Sequence, residues 1–254
     1  PHYLASLAML PEAERNALLY GDWNSFSGQV FEEWKNDPEG YDTQQWSHVI
    51  NPFNIPDGWE IIRGYDHGYA KPFSVGWYAV DYTGCIYRIR ELYGMKKDCY
   101  NVGIKIEPAA VARQIRAIEE TDPNLKGRRI TGIADPSIFA KDRGPSIADT
   151  MAKMGVYWSP GDNHRIAGKM QYHYRMAFDE HGRSMFYVFN NCKEFIRTVP
   201  NLVYDEKDVE DVNTKQEDHI YDECRYVLMS RIIAIRKNVE KPLPIEDPLD
   251  LYKE

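Results

Sequence analysis

Cysteine is scarce in this sequence and is not arranged for metal or disulfide chemistry. The four cysteines form no Cys-x-x-Cys pair and have no histidine near them at zinc-finger spacing: Cys85, Cys99, Cys192 and Cys224. This pattern argues against a structural zinc site and against the disulfide framework of a small secreted protein. Such cysteine usage favours a reducing compartment, for which the cytoplasm is the natural example.

Long hydrophobic runs and an excess of positive charge are also missing. No segment approaches the roughly 18 consecutive apolar residues of a membrane-spanning helix, so we expect no membrane role. The formal net charge of −8 argues against a protein that coats nucleic acid. It leaves room for an enzyme that contacts DNA through a local basic rim around an acidic, metal-filled centre. The chain begins at Pro1 without a signal-like segment, and we expect it to be a fragment of a longer protein.

The sequence does contain the pattern of an α/β domain with a mixed sheet. Short apolar runs bounded by turn residues predict strands over residues 61–66, 74–80, 85–92, 129–135 and 185–189. The first three are joined by short loops, which predicts an antiparallel meander. Apolar residues at helical spacing predict helices over residues 108–120, 146–154, 166–178, 192–199 and 219–235, and we expect these helices on both faces of the sheet.

The same pattern divides the chain into a domain with two flanking segments. Residues 59–236 are predicted to form the domain, because the strand and helix signals begin at residue 59 and end near residue 236. Residues 1–58 are poorly periodic and rich in turn signals, and we interpret them as a linker. Residues 237–254 are predicted to be a C-terminal tail.

Three aspartates stand where strand ends and a helix could bring carboxylates together. Asp66 closes the first strand, Asp135 closes the fourth, and Asp222 lies on the last helix, on the same face as His219. Adjacent strands lie about 4.8 Å apart, so Asp66 and Asp135 would converge if their strands are neighbours. Clustered carboxylates repel one another unless a cation neutralises them, and their oxygens suit Mg²⁺ or Mn²⁺ better than zinc. An aspartate beside glycine at a strand end is also ordinary turn chemistry, so spacing alone leaves both interpretations open.

Two further acidic residues are candidates for the same place. Glu91 ends the third strand at the same end of the meander as Asp66, and it is either a fourth acidic group or a surface residue. Asp218 lies one helical turn before Asp222, and it is either the third ligand in place of Asp222 or the N-cap of the last helix.

Separate motifs along the chain resemble the large subunit of tailed-phage terminases. Residues 21–23 (GDW), followed by residues 28–31 (GQVF), resemble the segment that links the ATPase of that family to its nuclease. Residues 64–68 (GYDHG), followed by a proline and an aromatic-rich second strand, resemble the first nuclease motif.

The later part of the chain carries the remaining motifs. Residues 134–137 (ADPS), followed by residues 144–147 (GPSI), resemble the second nuclease motif. Residues 217–226 (EDHIYDECRY) resemble the closing motif, in which a histidine and an aspartate three apart precede Arg-Tyr. The resemblance extends from about residue 10 to residue 230 and is most specific in the closing motif.

The resemblance implies an RNase H-like nuclease domain that cuts concatemeric double-stranded phage DNA during genome packaging. It implies that Asp66, Asp135 and Asp222 are catalytic metal ligands. His219 would lie beside them as a further catalytic group, either a ligand or an orienting residue. The implied cofactor is Mg²⁺ or Mn²⁺, with two ions expected, since paired ions activate water and stabilise the leaving oxygen in phosphodiester cleavage.

The resemblance also implies a setting and a set of partners. Cutting would take place in the cytoplasm of the infected bacterial host, on double-stranded DNA, beside the packaging motor, its portal and the small terminase subunit. We expect the isolated chain to be a monomer. No Gly-x-x-x-x-Gly-Lys-Ser/Thr loop occurs in the sequence, so we expect cutting but not ATP-driven translocation from this chain.

Basic residues after the second motif could hold DNA phosphates, although charge runs are usually solvated faces. The candidates are Lys141, Arg143, Arg165 and Lys169, and the next candidates are Lys71, Lys96 and Lys97 on the meander loops.

Two other functions compete with the endonuclease at this stage. The first is a catalytically idle docking module whose acidic surface binds the portal. The second is a glycosidase, which would need paired carboxyls roughly 5–9.5 Å apart and no metal. Sensitivity of the activity to EDTA distinguishes the nuclease from the glycosidase.

Overall fold

Seven strands form one sheet at the centre of the domain. The computed structural model describes residues 28–141, 144–205 and 210–242. The strand order within the sheet is β1-β7-β4-β3-β2-β5-β6. The strands are β1 (Val49–Ile50), β2 (Glu60–Asp66), β3 (Ser74–Val80), β4 (Ile86–Tyr93), β5 (Ile130–Ala134), β6 (Ser159–Pro160) and β7 (Phe186–Phe189).

The three longest strands form the antiparallel meander that the sequence predicts. β2 pairs with β3 and β3 pairs with β4, both antiparallel, whereas the other pairings between these seven strands are parallel. Asp81 closes the β3–β4 turn by accepting hydrogen bonds from the N–H groups of Thr83 and Cys85 at 2.8 and 2.9 Å. Gly84 completes the turn with a φ of 84°, a conformation that glycine adopts without strain. The predicted meander and mixed sheet are confirmed.

Helices flank the sheet. Within the described residues the α-helices are α1 (Pro108–Thr121), α2 (Ile147–Ala152), α3 (Arg165–Met176), α4 (Lys193–Thr198) and α5 (His219–Met229). None of them combines the length and the apolar character that crossing a membrane would require. α5 packs on β2 and β3 and beside α3, which brings its first turn to the sheet edge.

α5 ends earlier than residue 235, the end that the sequence pattern predicts. Ser230 is the C-cap, and its N–H bonds to the Val227 carbonyl at 3.1 Å. The Ser230 hydroxyl also donates to the Val227 carbonyl at 2.7 Å. A side chain that competes for backbone carbonyls in this way favours the end of a helix over its continuation.

Residues 28–58 belong to the same core as the sheet, so the predicted linker boundary at residue 59 is not a packing boundary. Val30, Phe31 and Trp34 are buried in that core, and the Val30 N–H donates to the Leu202 carbonyl at 2.9 Å. β1 adds a parallel strand beside β7. The apolar side chains of this segment therefore complete the domain, while the motif at residues 21–23 lies outside the described residues.

The start of the predicted C-terminal tail also contacts the domain. The Val239 N–H donates to the Phe178 carbonyl at 2.9 Å, and the Asn238 side chain accepts from the Phe178 N–H at 2.8 Å. These bonds hold the described part of the tail against the residues that follow α3. Residues 243–254 lie outside the described part of the chain.

Candidate active site

Asp66 and Asp135 lie at the same edge of the sheet because their strands are parallel neighbours. The register pairs Tyr65 of β2 with Ala134 of β5, and each aspartate is the next residue along its chain. The Asp135 N–H donates to the Tyr65 carbonyl at 3.0 Å and so continues the ladder past the last residue of β5. The condition under which the sequence predicts their convergence is therefore met.

α5 brings His219 and Asp222 to this edge of the sheet. Its close approach depends on Gly64 and Gly76, which pair across β2 and β3, because a Cβ at either position would overlap the Glu223 carboxylate. His219 Nδ1 consequently lies 3.5 Å from Asp66 Oδ2. We refer to Asp66, Asp135 and Asp222 as the acidic centre.

Asp66 is the buried member of the acidic centre. It is 7% exposed, and burial is the main reason that the pKa of its carboxyl lies well above the usual range. The charges of Asp222 and then Asp135 raise the pKa further, so the carboxylates are near enough to interact electrostatically. In the described part of the chain no side chain donates a hydrogen bond to Asp66. The His219 imidazole lies beside it, and the Arg225 charge lowers the pKa of Asp66 without offsetting the rise.

Asp222 is held by arginines. Arg165 Nη1 lies 3.1 and 3.2 Å from the two oxygens of its carboxylate, and Arg225 Nε donates to Oδ1 at 3.1 Å. Arg165 also donates from Nε to Asp211 Oδ2 at 2.6 Å, so the first residue of α3 bridges two acidic groups. Asp222 therefore has two hydrogen-bonded arginine counterions, whereas Asp66 has no hydrogen-bonded counterion within the described residues.

Asp135 makes the local bonds of a turn residue. Its Oδ1 accepts from the Ser137 N–H and its Oδ2 from the Ser137 hydroxyl, both at 2.8 Å. It is the N-cap of the short 3₁₀ helix Pro136–Phe139. The turn interpretation is therefore confirmed for Asp135, and its role as a metal ligand stays a prediction.

The side chains of the acidic centre are not arranged as a ready metal site. Among the described residues, no group of three His, Cys, Asp or Glu side chains is placed to hold a metal ion. The contacts of Asp222 with arginines and of Asp135 with Ser137 give the reason, because they engage the oxygens that a metal would use. The donor chemistry itself suits a hard divalent cation, since Asp66 is a buried carboxylate near two others and accepts no hydrogen bond from the part of the chain that the structure describes.

Asp218 lies beside the acidic centre. It occupies the N-cap position of α5, yet its carboxylate makes no capping hydrogen bond. It is 6% exposed, and burial, followed by the charges of Asp222 and Asp66, raises its pKa to about 7. Its Oδ1 is 4.0 Å from His219 Nδ1. The N-cap position predicted as one alternative is therefore observed without the N-cap bond.

Glu91 is neither a member of the acidic centre nor a surface residue, so both predictions for it are wrong. Its carboxylate accepts from the Glu194 N–H at 2.7 Å and from the Phe195 N–H at 3.2 Å, at the start of α4. Arg88 Nη2 lies 3.5 Å away. Unpaired N–H groups at a helix N-terminus attract a carboxylate, and this explains why Glu91 turns away from the strand edge.

The residues predicted to contact phosphate differ in how free they are. Lys169 is 6% exposed, its ammonium donates to the Glu210 carbonyl, and it lies 4.8 Å from the centroid of the Tyr204 ring. Such a buried ammonium cannot reach a phosphate without leaving these contacts. Lys141 is exposed but pairs with Asp149 at 3.0 Å.

Arg165 and Arg143 complete that predicted set. Arg165 is engaged by Asp211 and Asp222. Arg143 lies outside the described residues.

Sequence reasoning did not single out three residues that contact the candidate site. Arg225 holds Asp222, Asn101 Oδ1 lies 3.0 Å from His219 Nε2, and the Glu223 carboxylate lies against Gly64 and Gly76. A glycine within a strand often marks close approach of another element, so Gly64 and Gly76 were the available signal for Glu223. Asn101 lies in a loop with no motif, and its contact depends on tertiary packing alone.

Comparison of the sequence with protein-family models and with curated proteins gives no match. Solved structures do match. A large terminase from a thermophilic bacteriophage, in complex with ATP-gamma-S, matches with a TM-score of 0.59 at 19% identity. The match covers 79% of this chain and 45% of that one, so the chain spans a little under half the length of this large terminase.

Separate nuclease domains match over nearly their whole length. The nuclease domain of the P22 large terminase matches with a TM-score of 0.51 at 17% identity, covering 81% of this chain and 93% of that domain. The large terminase nuclease of the thermophilic phage G20c, with bound cobalt, matches with a TM-score of 0.50 at 11% identity. That match covers 80% of this chain and 98% of the G20c nuclease. The chain therefore has the RNase H-like fold of large-terminase nuclease domains, as its motifs predict.

Proposed function

We propose that this chain is a divalent-metal-dependent endonuclease that cuts concatemeric double-stranded DNA during phage genome packaging. The observation that carries the proposal is Asp66, a buried carboxylate to which no described residue donates a hydrogen bond. It lies near Asp135 and Asp222, in a fold shared with terminase nucleases. An uncompensated buried charge is costly, and the protein must protonate it or bind a cation. A cation-binding role accounts for this arrangement.

Asp66, Asp135 and Asp222 would hold the metal, and we propose Mg²⁺ or Mn²⁺, with two ions in the loaded enzyme. When bound, such ions supply Lewis-acid stabilisation of the phosphodiester and a water of lowered pKa. The presence of cobalt in the G20c nuclease supports a divalent metal here. The contribution of the protein is positioning, because β2 and β5 fix two carboxylates while two arginines hold the third nearby.

Lys71, Lys96 and Lys97 are the best-placed residues for contacting DNA phosphates. Lys71 follows β2, and the two other lysines follow β4, on loops that are joined by a hydrogen bond from the Gly103 N–H to the Ala70 carbonyl at 2.8 Å. All three lysines are exposed, and within the described residues none of them forms an ion pair. The Lys71 charge is near enough to lower the pKa of His219, so this basic surface borders the acidic centre.

The basic residues that follow the second motif are also proposed to contact DNA phosphates, with one exception. Lys141, Arg143 and Arg165 remain proposed contacts, and the exposed Lys141 is the most accessible of those that the structure describes. Lys169 is left out because the residue is buried and its ammonium already donates to the Glu210 carbonyl.

A plasmid-cutting assay tests the proposed function. Supercoiled plasmid would be incubated with the chain and Mn²⁺, with and without EDTA, and the nicked and linear products would be separated on a gel. We expect Asp66→Ala and Asp135→Ala to abolish cutting, while Asp57→Ala, which removes an exposed carboxylate elsewhere, leaves it unchanged. His219→Ala should be as severe if the imidazole binds the metal, and milder if it only orients a ligand or a water.

Each outcome decides the proposal. Cutting at the wild-type rate by folded Asp66→Ala would refute the assigned role of the acidic centre. Cutting that persists in EDTA would exclude metal dependence. No cutting by folded wild-type protein, in either Mg²⁺ or Mn²⁺, would favour the idle docking module.

The packaging context is part of the same proposal. We propose that cutting takes place in the cytoplasm of the infected bacterium, within an assembly that includes the motor, the portal and the small terminase subunit. The isolated chain is proposed to be monomeric. We propose no ATPase activity for this chain, because its sequence has no Gly-x-x-x-x-Gly-Lys-Ser/Thr loop and it spans 45% of the matching large terminase that was solved with ATP-gamma-S.

A further inference from the structure

His219 stands between a loop and the acidic centre, and its two ring nitrogens face different partners. Nε2 lies 3.0 Å from Asn101 Oδ1. Nδ1 lies 3.5 Å from Asp66 Oδ2 and 4.0 Å from Asp218 Oδ1. Which nitrogen carries the proton therefore decides what the ring presents to the carboxylates.

The Asn101 amide is oriented with its oxygen toward the ring. Its Nδ2 donates to the Gln216 carbonyl at 3.4 Å, so Oδ1 is the atom directed at His219. A carbonyl oxygen only accepts hydrogen bonds, and the imidazole must therefore donate from Nε2. A neutral ring that is protonated at Nε2 carries its lone pair on Nδ1, toward the carboxylates.

The loop that carries Asn101 is held in a fixed shape. Asn101 has a φ of 56°, a left-handed conformation that asparagine tolerates better than most residues. Across this loop the Lys96 N–H donates to the Val102 carbonyl at 2.7 Å, and the Ile104 N–H donates to the Gly94 carbonyl at 3.0 Å. The amide is thus presented to His219 by a loop that is itself hydrogen-bonded.

We infer that Asn101 is a positioning residue, which fixes His219 as the Nε2–H tautomer and directs the Nδ1 lone pair at the acidic centre. A histidine that serves a metal site usually donates its other N–H to a carbonyl or carboxylate, which orients the ring and raises its basicity. The use of that lone pair in cleavage rests on the proposed function. The tautomer itself does not, because it is a property of the metal-free chain.

Nuclear magnetic resonance of the imidazole nitrogens tests the inference. The full chain would be labelled with ¹⁵N, kept metal-free at about pH 8, and examined by long-range ¹H–¹⁵N correlation. The sequence has seven histidines, and a His219→Gln variant identifies the resonances of this one. We expect a protonated Nε2 and an unprotonated Nδ1 in the wild-type protein.

Variants on the same loop separate tautomer control from loop structure. Asn101→Ala should shift both ¹⁵N resonances of His219 toward a tautomer mixture, whereas Asn101→Asp keeps an acceptor oxygen and should keep Nε2 protonated. Asp98→Ala is the matched control, because Asp98 has the same φ of 56° and is exposed on the same loop. The other histidine resonances report whether each variant is folded.

The outcomes distinguish this inference from the proposed function. A proton on Nδ1 in the wild-type protein, or unchanged His219 resonances in Asn101→Ala, would overturn the inference whether or not the protein cuts DNA. With the expected tautomer, Asn101→Ala should lower Mn²⁺ affinity or cutting by about 10- to 100-fold, and Asp98→Ala should lower neither. The expected tautomer in a wild-type protein that cuts no plasmid would refute the proposed function and leave the inference standing.

Discussion

The pair formed by Glu223 and Arg88 offers the sharpest test of how α5 is held on the sheet. Both side chains are fully buried, and Arg88 Nη1 lies 2.7 Å from Glu223 Oε2. The Glu223 carboxylate also accepts from the Tyr78 hydroxyl at 2.8 Å and from the Ser74 hydroxyl at 3.1 Å. These partners lie on β3 and β4, so a charged network joins α5 to the meander.

We expect Glu223→Gln to destabilise the domain by about 3 kcal/mol. Removing one member of a buried ion pair costs roughly 3–5 kcal/mol, because the other charge is left uncompensated. Glutamine keeps the shape of the site, and Glu91 remains 3.5 Å from Arg88 as a residual partner, which places the loss at the lower end. Combining the change with Arg88→Met removes the stranded charge, and the double variant should lose about 1–3 kcal/mol less than the sum of the single losses.

Urea unfolding followed by tryptophan fluorescence measures these free energies. The control is Glu120→Gln, which breaks the 2.6 Å pair with Arg116 on the exposed face of α1. That pair has the same chemistry without burial, so the control should change the free energy of unfolding by no more than about 0.5 kcal/mol. If Glu223→Gln costs as little as the control, or if the double variant is additive, the buried pair does not hold the helix as described.

Three further predictions concern the acidic centre and the surface beside it. The raised pKa of Asp218, about 7, means that the folded state binds more protons than the unfolded state above the ordinary carboxyl pKa. The contribution of this group to the free energy of unfolding therefore falls as pH rises toward 7. Relative to wild type, Asp218→Asn should stabilise the metal-free protein by at least about 1.4 kcal/mol more near pH 8 than near pH 4, measured by urea unfolding. An equal effect at both pH values would contradict this. Mn²⁺ should raise the melting temperature of the wild-type protein and not of Asp66→Ala, which differential scanning calorimetry would show, and an equal rise in both would place the metal elsewhere. Replacing Lys71, Lys96 and Lys97 with alanine should weaken binding to unrelated DNA duplexes equally. The slope of log binding constant against log salt concentration should fall by about one unit per lost phosphate contact, measured by fluorescence anisotropy in EDTA. An unchanged slope would mean that these lysines do not contact DNA.

The sequence predicts the long strands and the meander because their signals are local. β2, β3 and β4 are seven or eight residues long and rich in isoleucine, valine or aromatic residues, and Asp66, Asp81 and Gly94 mark their ends. β1 and β6 have only two residues each and were not predicted. A two-residue segment is too short to show a periodic pattern in the sequence. β1 and β6 are strands because they pair with β7 and β5.

The part of the candidate site that lies at strand ends could be predicted from the sequence. Asp66 and Asp135 follow parallel neighbouring strands, so their convergence requires no more than the correct sheet order. Arg165 could not be placed in the same way, because its partner Asp222 is 57 residues away along the chain. In a sequence it resembles a free surface cation, and only the packing of α3 beside α5 makes it a counterion. The role of Glu223 could not be predicted for the same reason, since a glutamate on a helix is ordinarily exposed.

The unequal compensation of charge within the acidic centre affects how any substitution there is interpreted. Asp66 is buried with no hydrogen-bond donor among the described residues, so Asp66→Ala removes a repulsive charge and should leave the metal-free fold at least as stable. Asp222→Ala instead leaves the buried Arg225 without its carboxylate partner, although Arg165 keeps Asp211, and a stranded buried charge destabilises a protein. The same loss of cutting would therefore have different meanings at the two positions. At Asp66 it reports on the chemistry of the site, whereas at Asp222 it must first be corrected for the folded fraction.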